Sequence, residues 1–234
     1  MELAINISLL LLGISILVWG ANKFVDHASV IAKHMGISDL VIGLTLIAFG
    51  TSAPEIFVGI SSIVNQNEEI ALGTAIGSNI SNIALIFGVS CLYLTGPSKT
   101  QLWNFVPFGL SVILLGLTLV DGEISFNESM GFVGILMIFM FVLFKTDGLA
   151  EEDSLDSNEF GHSLFISLIG LVALITGANI AVVYAENTAL LLGVPQLIIG
   201  LTIIALGTSL PELAATIVAL RKGKHQMVVG NIIG

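Results

Sequence analysis

The stretch GLTLIAFGTSAPEI at residues 43–56 returns as GLTIIALGTSLPEL at residues 200–213, an offset of 157 positions from Gly43 to Gly200. Ten of the fourteen positions are identical, and the four differences each exchange one apolar residue for another. The same offset aligns Gly20 with Gly177 and Gly73 with Gly230. A register held over that distance predicts an internal repeat.

Composition places both copies of this stretch in a membrane. Of the 234 residues, 55% are hydrophobic and 10% charged, and the mean hydropathy is +1.02. A soluble domain is typically about 25% charged. Apolar runs long enough to cross a bilayer as helices predict an all-α, polytopic membrane protein. These runs cover residues 3–19, 40–64, 70–94, 103–120, 126–144, 163–183 and 197–220, and an eighth opens at residue 227.

The positive charges predict the orientation of the spans, because loops rich in Lys and Arg remain cytoplasmic. All seven basic residues follow odd-numbered spans, so the N-terminus is expected outside the membrane: Lys23, Lys33, Lys99, Lys145, Arg221, Lys222 and Lys224. Equivalent helices are then five spans apart and cross in opposite directions. The repeats are therefore predicted to be inverted, as in many secondary transporters.

A Gly-Thr-Ser-x-Pro-Glu motif lies in the middle of a span in each repeat, ending at Glu55 and at Glu212. Proline lacks a backbone donor, so the helix is expected to break there and to free carbonyls near Ala48 and Ala205. A glutamate at this depth costs at least ~2–3 kcal/mol unless a cation or a partner compensates it. Hydroxyl oxygens lie within one turn, on Thr51, Ser52, Thr208 and Ser209. Hard cations such as Ca²⁺ and Na⁺ prefer this set of oxygens.

Less specific roles remain open for several of these residues. A single buried glutamate can be a protonated packing residue, and a Ser or Thr in a span often bonds its own helix. Ser78 and Asn82, four residues apart in the third span, could join helices without binding a ligand. The glycines from Gly73 to Gly77 are predicted to let the third span approach the second closely.

The paired GTSxPE helices, each followed by glycine-rich segments such as GTAIGSN at residues 73–79, resemble the alpha repeats of the sodium/calcium exchanger family. The resemblance covers nearly the whole chain. It implies ten helices in two inverted halves of five, with cation sites in mid-membrane between helices two, three, seven and eight. It also implies rocking of the first and sixth spans, at whose ends Gly20 and Gly177 are expected.

Carried onto this sequence, the resemblance implies Glu55 and Glu212 as the central Ca²⁺ ligands. Further ligands of the calcium or flanking sodium sites are implied at Thr51, Ser52, Ser78, Asn82, Thr208 and Ser209 and at the carbonyls of Ala48 and Ala205. The offset places the partners of Ser78 and Asn82 at positions 235 and 239, beyond Gly234. The sequence is therefore expected to be truncated within the second alpha repeat.

The expected organisation is a first transmembrane half at residues 1–145 with alpha repeat 1 at about 40–95, and an acidic cytoplasmic linker at 146–161. A second half follows at 162–234, with the start of alpha repeat 2 at about 197–234. The linker shows no EF-hand spacing, and the single cysteine, Cys91, is expected to be a buried apolar residue. No cofactor, nucleic acid or protein partner is expected; the partners are Ca²⁺, a monovalent counter-ion and the bilayer of the cell membrane.

The predicted function is Ca²⁺ antiport against Na⁺, or against K⁺ or H⁺, by alternating access. An enzyme is disfavoured, because the sequence has no H-E-x-x-H motif and all four histidines fall in predicted loops or at the ends of spans. Two alternatives stay open at this point. One is an exchanger of another cation or of protons with the same fold, and the other is a passive cation channel, which would require a continuous polar stripe along the spans.

Overall fold

The computed structural model describes residues 1–66, 68–92, 106–118, 120, 125–146, 157–199, 202–203 and 205–233. These residues form helices and turns and contain no strand, so the predicted all-α fold is confirmed. Lys99 and the acidic residues Glu151, Glu152, Asp153 and Asp156 lie outside the described residues.

The first repeat contains the helices α1 (Glu2–His34), α2 (Asp39–Ile42), α3 (Ala48–Thr51), α4 (Ala53–Val64), α5 (Glu68–Ser81), α6 (Gly88–Cys91), α7 (Val106–Thr118) and α8 (Phe126–Thr146). Two π-helical segments, Gly43–Ile47 and Asn82–Phe87, join α2 to α3 and α5 to α6. The second repeat contains α9 (Ser157–Leu191), α10 (Gln196–Ile199), α11 (Ala205–Gly207), α12 (Leu210–Arg221) and α13 (His225–Ile233).

Within the described residues, four helices are long and apolar enough to cross a membrane: Glu2–His34, Ala71–Cys91, Phe126–Lys145 and Glu159–Leu191. One further pair of apolar helices, Asp39–Thr51 and Ala53–Val64, meets at an angle of 50°, which is the geometry of a broken span or of a re-entrant loop. Large apolar side chains such as Leu11, Phe57 and Phe141 are exposed on these helices. Such a surface is suited to lipid.

The equivalent helices α1 and α9 pack against each other in antiparallel orientation along most of their length. Four glycines bring the two backbones together. A Cβ atom added to Gly13 would lie 2.7 Å from the backbone nitrogen of Ala181, and one added to Gly170 would lie 2.6 Å from that of Phe24. Gly20 adjoins Gly170, and Gly177 adjoins Gly13. The offset relates Gly13 to Gly170 and Gly20 to Gly177. Gly20 therefore packs beside the equivalent of Gly13, and Gly13 packs beside the equivalent of Gly20.

Both of these helices are longer than their apolar runs. Helix α1 continues past Trp19 to His34, so Lys23 and Lys33 are helical, and α9 begins at Ser157, within the expected linker. The prediction that Gly20 and Gly177 mark helix ends is therefore wrong. Hydropathy identifies only the part of a helix that lies in the lipid core of the bilayer. Helix α1 ends at His34, two residues before Gly36, whose φ is positive at 61°.

Helix α13 crosses α2 and the first π-helical segment at close range. A Cβ atom on Gly230 would lie 2.6 Å from the carbonyl oxygen of Leu40, and one on Gly43 would lie 2.5 Å from that of Met227. Within the described residues, a Cβ atom on Gly73, the equivalent of Gly230, or on Gly77 would have no neighbour within 4 Å. The described structure therefore gives these two glycines no close contact with the second span.

Ion pairs fix the turn between α12 and α13 to the start of the chain. Lys222 Nζ lies 2.5 Å from Asp26 Oδ1 on α1, and Lys224 Nζ lies 3.2 Å from Asp39 Oδ2 at the start of α2. The basic cluster predicted only as a topology signal therefore also joins the two repeats.

Candidate cation site

Each GTSxPE motif forms a break between two helices. In the first repeat α3 ends at Thr51 and α4 begins at Ala53, with Pro54 in its first turn. In the second, α12 begins at Leu210, directly after Ser209, with Pro211 in its first turn. Proline is favoured in the first turn of a helix, where a backbone donor has no partner to lose. The predicted break is confirmed.

The break does not free the carbonyl of Ala48. That oxygen accepts the Ser52 N–H at 2.9 Å and lies 3.2 Å from Thr51 Oγ1. The backbone N–H of Ser52, directly after α3, still makes the helical hydrogen bond, whereas the N–H that Pro54 lacks would have donated to the carbonyl of Gly50, four residues before it. Ala205, the equivalent of Ala48, is the first residue of α11.

Glu55 and Glu212 occupy the first turns of α4 and α12. The positive end of each helix dipole therefore lies beside a carboxylate, which it stabilises. The Glu212 side chain is buried and its Oε1 accepts a hydrogen bond from Ser52 Oγ at 3.2 Å. Within the described residues, Glu212 Oε2 and both carboxylate oxygens of Glu55 are buried without a hydrogen-bond partner. Because Ser52 lies three residues before Glu55, its hydrogen bond to Glu212 brings the two motifs together.

The hydroxyl residues around the two carboxylates differ between the repeats. Thr51 is fully buried, and its hydroxyl lies 3.0 Å from the carbonyl oxygen of Ile47. Its equivalent, Thr208, is exposed. Ser209 is buried, whereas its equivalent Ser52 is half-buried and contacts Glu212. The structure thus places Ser52 against Glu212 and buries Thr51 and Ser209, whereas Thr208 is exposed.

A cavity of about 1100 Å³ opens beside Glu55. Its wall is mostly apolar, but polar side chains converge on it from α3 to α5 and the second π-helical segment: Ser52, Glu55, Thr74, Ser78, Asn79 and Asn82. Asn82 begins that π-helical segment, and such segments are frequent at functional sites. Ser78 and Asn82 therefore share the cavity with Glu55, as predicted for ligands, although the Ser78 hydroxyl also donates to the carbonyl of Ala75 at 3.2 Å.

Two buried polar residues of the site were missed by the sequence analysis, Asn231 on α13 and Thr216 on α12. Asn231 Nδ2 lies 3.2 Å from the carbonyl oxygen of Glu212 and 2.9 Å from Thr216 Oγ1. One signal was available, because the offset of 157 aligns Asn231 with Thr74, a second polar residue within an apolar run.

The chemistry of this arrangement is that of a cation site. Glu55 lines the cavity together with neutral hydroxyl and amide side chains, and Ser52, which also lines it, donates a hydrogen bond to Glu212. No Lys or Arg is among the described residues that line the cavity. The described residues hold no cluster of three or more His, Cys, Asp or Glu side chains suited to a metal, so the carboxylates depend on neutral oxygens to complete a coordination shell. Oxygen-only sites favour hard cations.

The histidines lie elsewhere. The rings of His27 and His162 meet edge to face at 6.1 Å between α1 and α9, and His34 stacks on Phe160 at 4.7 Å. None of the histidines lines the cavity that holds Ser52 and Glu55. That cavity therefore contains no histidine to act as a base for a serine nucleophile.

Curated relatives cover almost all of the chain. The inner membrane protein YrbG of Escherichia coli (strain K12) is 32% identical over 241 residues, which are 97% of this chain and 74% of the relative. The sodium/calcium exchanger MaX1 of Methanosarcina acetivorans is 33% identical over 280 residues, 99% of this chain and 79% of the relative.

A solved structure, the sodium-calcium exchanger NCX_Mj soaked with 10 mM Na⁺ and zero Ca²⁺, superposes with a TM-score of 0.80 at 31% identity. The match covers 99% of this chain and 78% of that chain. Residues 5–145 and 162–234 match the family described as sodium/calcium exchanger protein. This chain is an integral membrane protein of the sodium/calcium exchanger family.

Proposed function

We propose that the protein is a secondary active transporter that exchanges Ca²⁺ for Na⁺, or for K⁺ or H⁺, by alternating access. The observation that carries this proposal is the convergence of Glu55 and Glu212, from two inverted repeats, on one buried site where three of their four oxygens have no hydrogen-bond partner within the described residues. Buried carboxylates in this state require a cation or a proton. Two of them balance the charge of one Ca²⁺.

Glu55 and Glu212 are the proposed central ligands. Neutral oxygens complete the calcium site or bind flanking sodium ions, and the proposed contributors are Thr51, Ser52, Ser78, Asn82, Thr208, Ser209 and the carbonyls of Ala48 and Ala205. Calcium takes 6–8 oxygen ligands, so the two carboxylates alone do not fill its shell. The hydrogen bond from Ser52 to Glu212 supports this assignment, because it joins oxygens of both repeats at one place.

The proposed location is the cell membrane, with the N-terminus outside. The distribution of Lys and Arg supports this orientation, since Lys145 and the cluster from Arg221 to Lys224 then face the cytoplasm. Helices α1 and α9 are proposed to move as one unit against the other helices. Their close glycine contacts support this motion, because backbones that touch resist separation.

The test uses the full-length protein in sealed vesicles with an imposed sodium gradient, and follows uptake of labelled Ca²⁺. Glu55→Gln and Glu212→Gln should each abolish uptake, because each removes half of the charge that balances the ion. Glu128→Gln is the matched control. Glu128 lies at the start of α8, where its Oε2 accepts the Ser125 N–H at 2.7 Å, and glutamine keeps an acceptor there. Uptake at the wild-type rate in either site variant contradicts the proposed site, and a cation current without countertransport identifies a channel.

A further inference from the structure

Asn231 uses its whole carboxamide in contacts within the site. Its Nδ2 group donates to Thr216 Oγ1 at 2.9 Å and to the carbonyl oxygen of Glu212 at 3.2 Å, while Oδ1 lies 3.4 Å from Thr51 Oγ1. The side chains of Asn231, Thr51 and Thr216 are all buried. Buried polar groups that satisfy one another in this way fix their own orientation.

The contacts span the first turn of α12, which carries the Glu212 carboxylate. Thr216 lies four residues after Glu212, and a threonine at that position often bonds back to the carbonyl four residues before it. Here the amide of Asn231 contacts both that carbonyl and the threonine hydroxyl. The turn that begins at the Ser209 break is therefore held by a side chain of α13.

The same amide group also affects Thr51. The Thr51 hydroxyl has one proton, and it lies within hydrogen-bond distance of the carbonyls of Ile47 and Ala48 and of Asn231 Oδ1. A hydroxyl that donates its proton to one of these acceptors keeps the lone pairs of its oxygen available for a cation.

We propose that Asn231 is a positioning residue that holds Glu212 and Thr51 in the cation site, with Thr216 as its anchor. This inference rests on the proposed function and deepens it. It makes the two carboxylates unequal, with Glu212 held in place and Glu55 free to adapt as the bound cation changes.

The described part of the first repeat shows no equivalent clamp. The offset of 157 relates Thr216 to Gly59, which has no side chain, and an added Cβ atom there would have no described neighbour within 4 Å. It relates Asn231 to Thr74, which lines the cavity. Glu55 is accordingly half-buried, whereas Glu212 is 2% exposed.

The test compares Asn231→Leu, Thr216→Val and Thr216→Ser in the full-length protein. Two measurements are made: equilibrium binding of labelled Ca²⁺ to purified protein, and the rise in melting temperature on adding Ca²⁺. Asn231→Leu and Thr216→Val should weaken calcium binding about tenfold. They should also raise KM more than they lower kcat in vesicles. Thr216→Ser keeps the hydroxyl and should bind as wild type.

A purely structural role predicts a different pattern, namely less folded protein with unchanged calcium affinity in the folded fraction. The control Thr188→Val removes a hydroxyl that bonds within α9, to the carbonyl of Tyr184 at 2.6 Å, and should leave calcium affinity unchanged. The double variant Asn231→Leu/Thr216→Val should bind no more weakly than Asn231→Leu alone, because Asn231→Leu already removes the contact between Asn231 and Thr216. If Asn231→Leu does not fold, Thr216→Val alone still tests the inference, because valine has nearly the same shape as threonine and removes only the hydroxyl that contacts Asn231.

The outcomes also separate this inference from the proposed function. Wild-type affinity in both Asn231→Leu and Thr216→Val, together with lost binding in Glu212→Gln, overturns the positioning role and leaves the cation site intact. Wild-type binding in Glu212→Gln overturns the site itself.

Discussion

Ser52 donates a hydrogen bond to Glu212 at 3.2 Å, so a residue of the first repeat orients the carboxylate of the second. The equivalent pair is Ser209 and Glu55. Within the described residues, the Ser209 hydroxyl and both Glu55 oxygens are buried without a hydrogen-bond partner. Two motifs of nearly identical sequence therefore differ in this structure: the serine of the first contacts the glutamate of the second, but the reverse contact is not made among the described residues.

This difference predicts unequal effects of removing the two serine hydroxyls. Ser52→Ala should weaken Ca²⁺ binding about tenfold, because it removes a hydrogen bond to a charged group as well as a ligand oxygen. Ser209→Ala removes a ligand oxygen alone and should weaken binding by roughly threefold. Equilibrium binding of labelled Ca²⁺ to the two purified variants measures both effects. Equal losses would mean that the contact between Ser52 and Glu212 does not contribute to affinity.

A second prediction concerns protons. Calcium needs both carboxylates ionised, so a proton on Glu55 or Glu212 competes directly with the ion. Calcium affinity should therefore fall as the pH is lowered from 8 to 5, and raising the calcium concentration should restore saturation. Titrations of labelled Ca²⁺ at fixed pH values test this. An affinity that stays constant over the whole range would place the binding carboxylates elsewhere.

A third prediction is obligatory coupling. With Glu55 and Glu212 ionised and no cation bound, a change of access would carry two uncompensated charges through a site of low dielectric, at a cost of several kcal/mol. Vesicles loaded with Ca²⁺ should lose it slowly into a medium without counter-cations and quickly once Na⁺ is added outside. Rapid efflux that Na⁺ does not change would rule out exchange.

A fourth prediction concerns the α1–α9 contact. Gly170→Ala should lower stability by about 1–3 kcal/mol or more, because its Cβ atom would overlap the backbone of Phe24, which cannot move as a side chain can. Gly134→Ala on α8 is the matched control. A Cβ atom there would have no neighbour within 4 Å, and alanine favours a helix by about 1 kcal/mol. Thermal melting of both variants in detergent measures the contrast, and equal melting temperatures would contradict it.

The sequence sufficed for the features that follow from chain chemistry alone. Two copies of one motif predict equivalent helices. Pro54 and Pro211 predict the breaks, because proline cannot donate a helical hydrogen bond in any surroundings. The burial of Glu212 follows from its place in an apolar span. The carbonyl of Ala48 still accepts the Ser52 N–H, because the donor that Pro54 lacks would have served the carbonyl of Gly50 and not that of Ala48.

The remaining features depend on distant parts of the chain. No local pattern shows that a Cβ atom on Gly230 would overlap Leu40 while one on Gly73 would have no described neighbour within 4 Å, because the two glycines are equivalent in sequence. Asn231 escaped notice for the same reason, since its partners Thr51 and Glu212 come from both repeats. Equivalence in sequence predicts shared architecture, but not which contacts one conformation makes.

The reciprocal packing of Gly13 beside Gly177 and of Gly20 beside Gly170 is the pattern that two identical subunits form about a twofold axis. Leu17 and Leu174, which the offset relates, are both buried near the centre of that contact. A single repeat, inserted into the membrane in both directions, could make the same interface with a second copy of itself. The contact between α1 and α9 therefore has the symmetry of a self-complementary dimer interface, and the duplication and fusion of one gene would preserve such an interface unchanged.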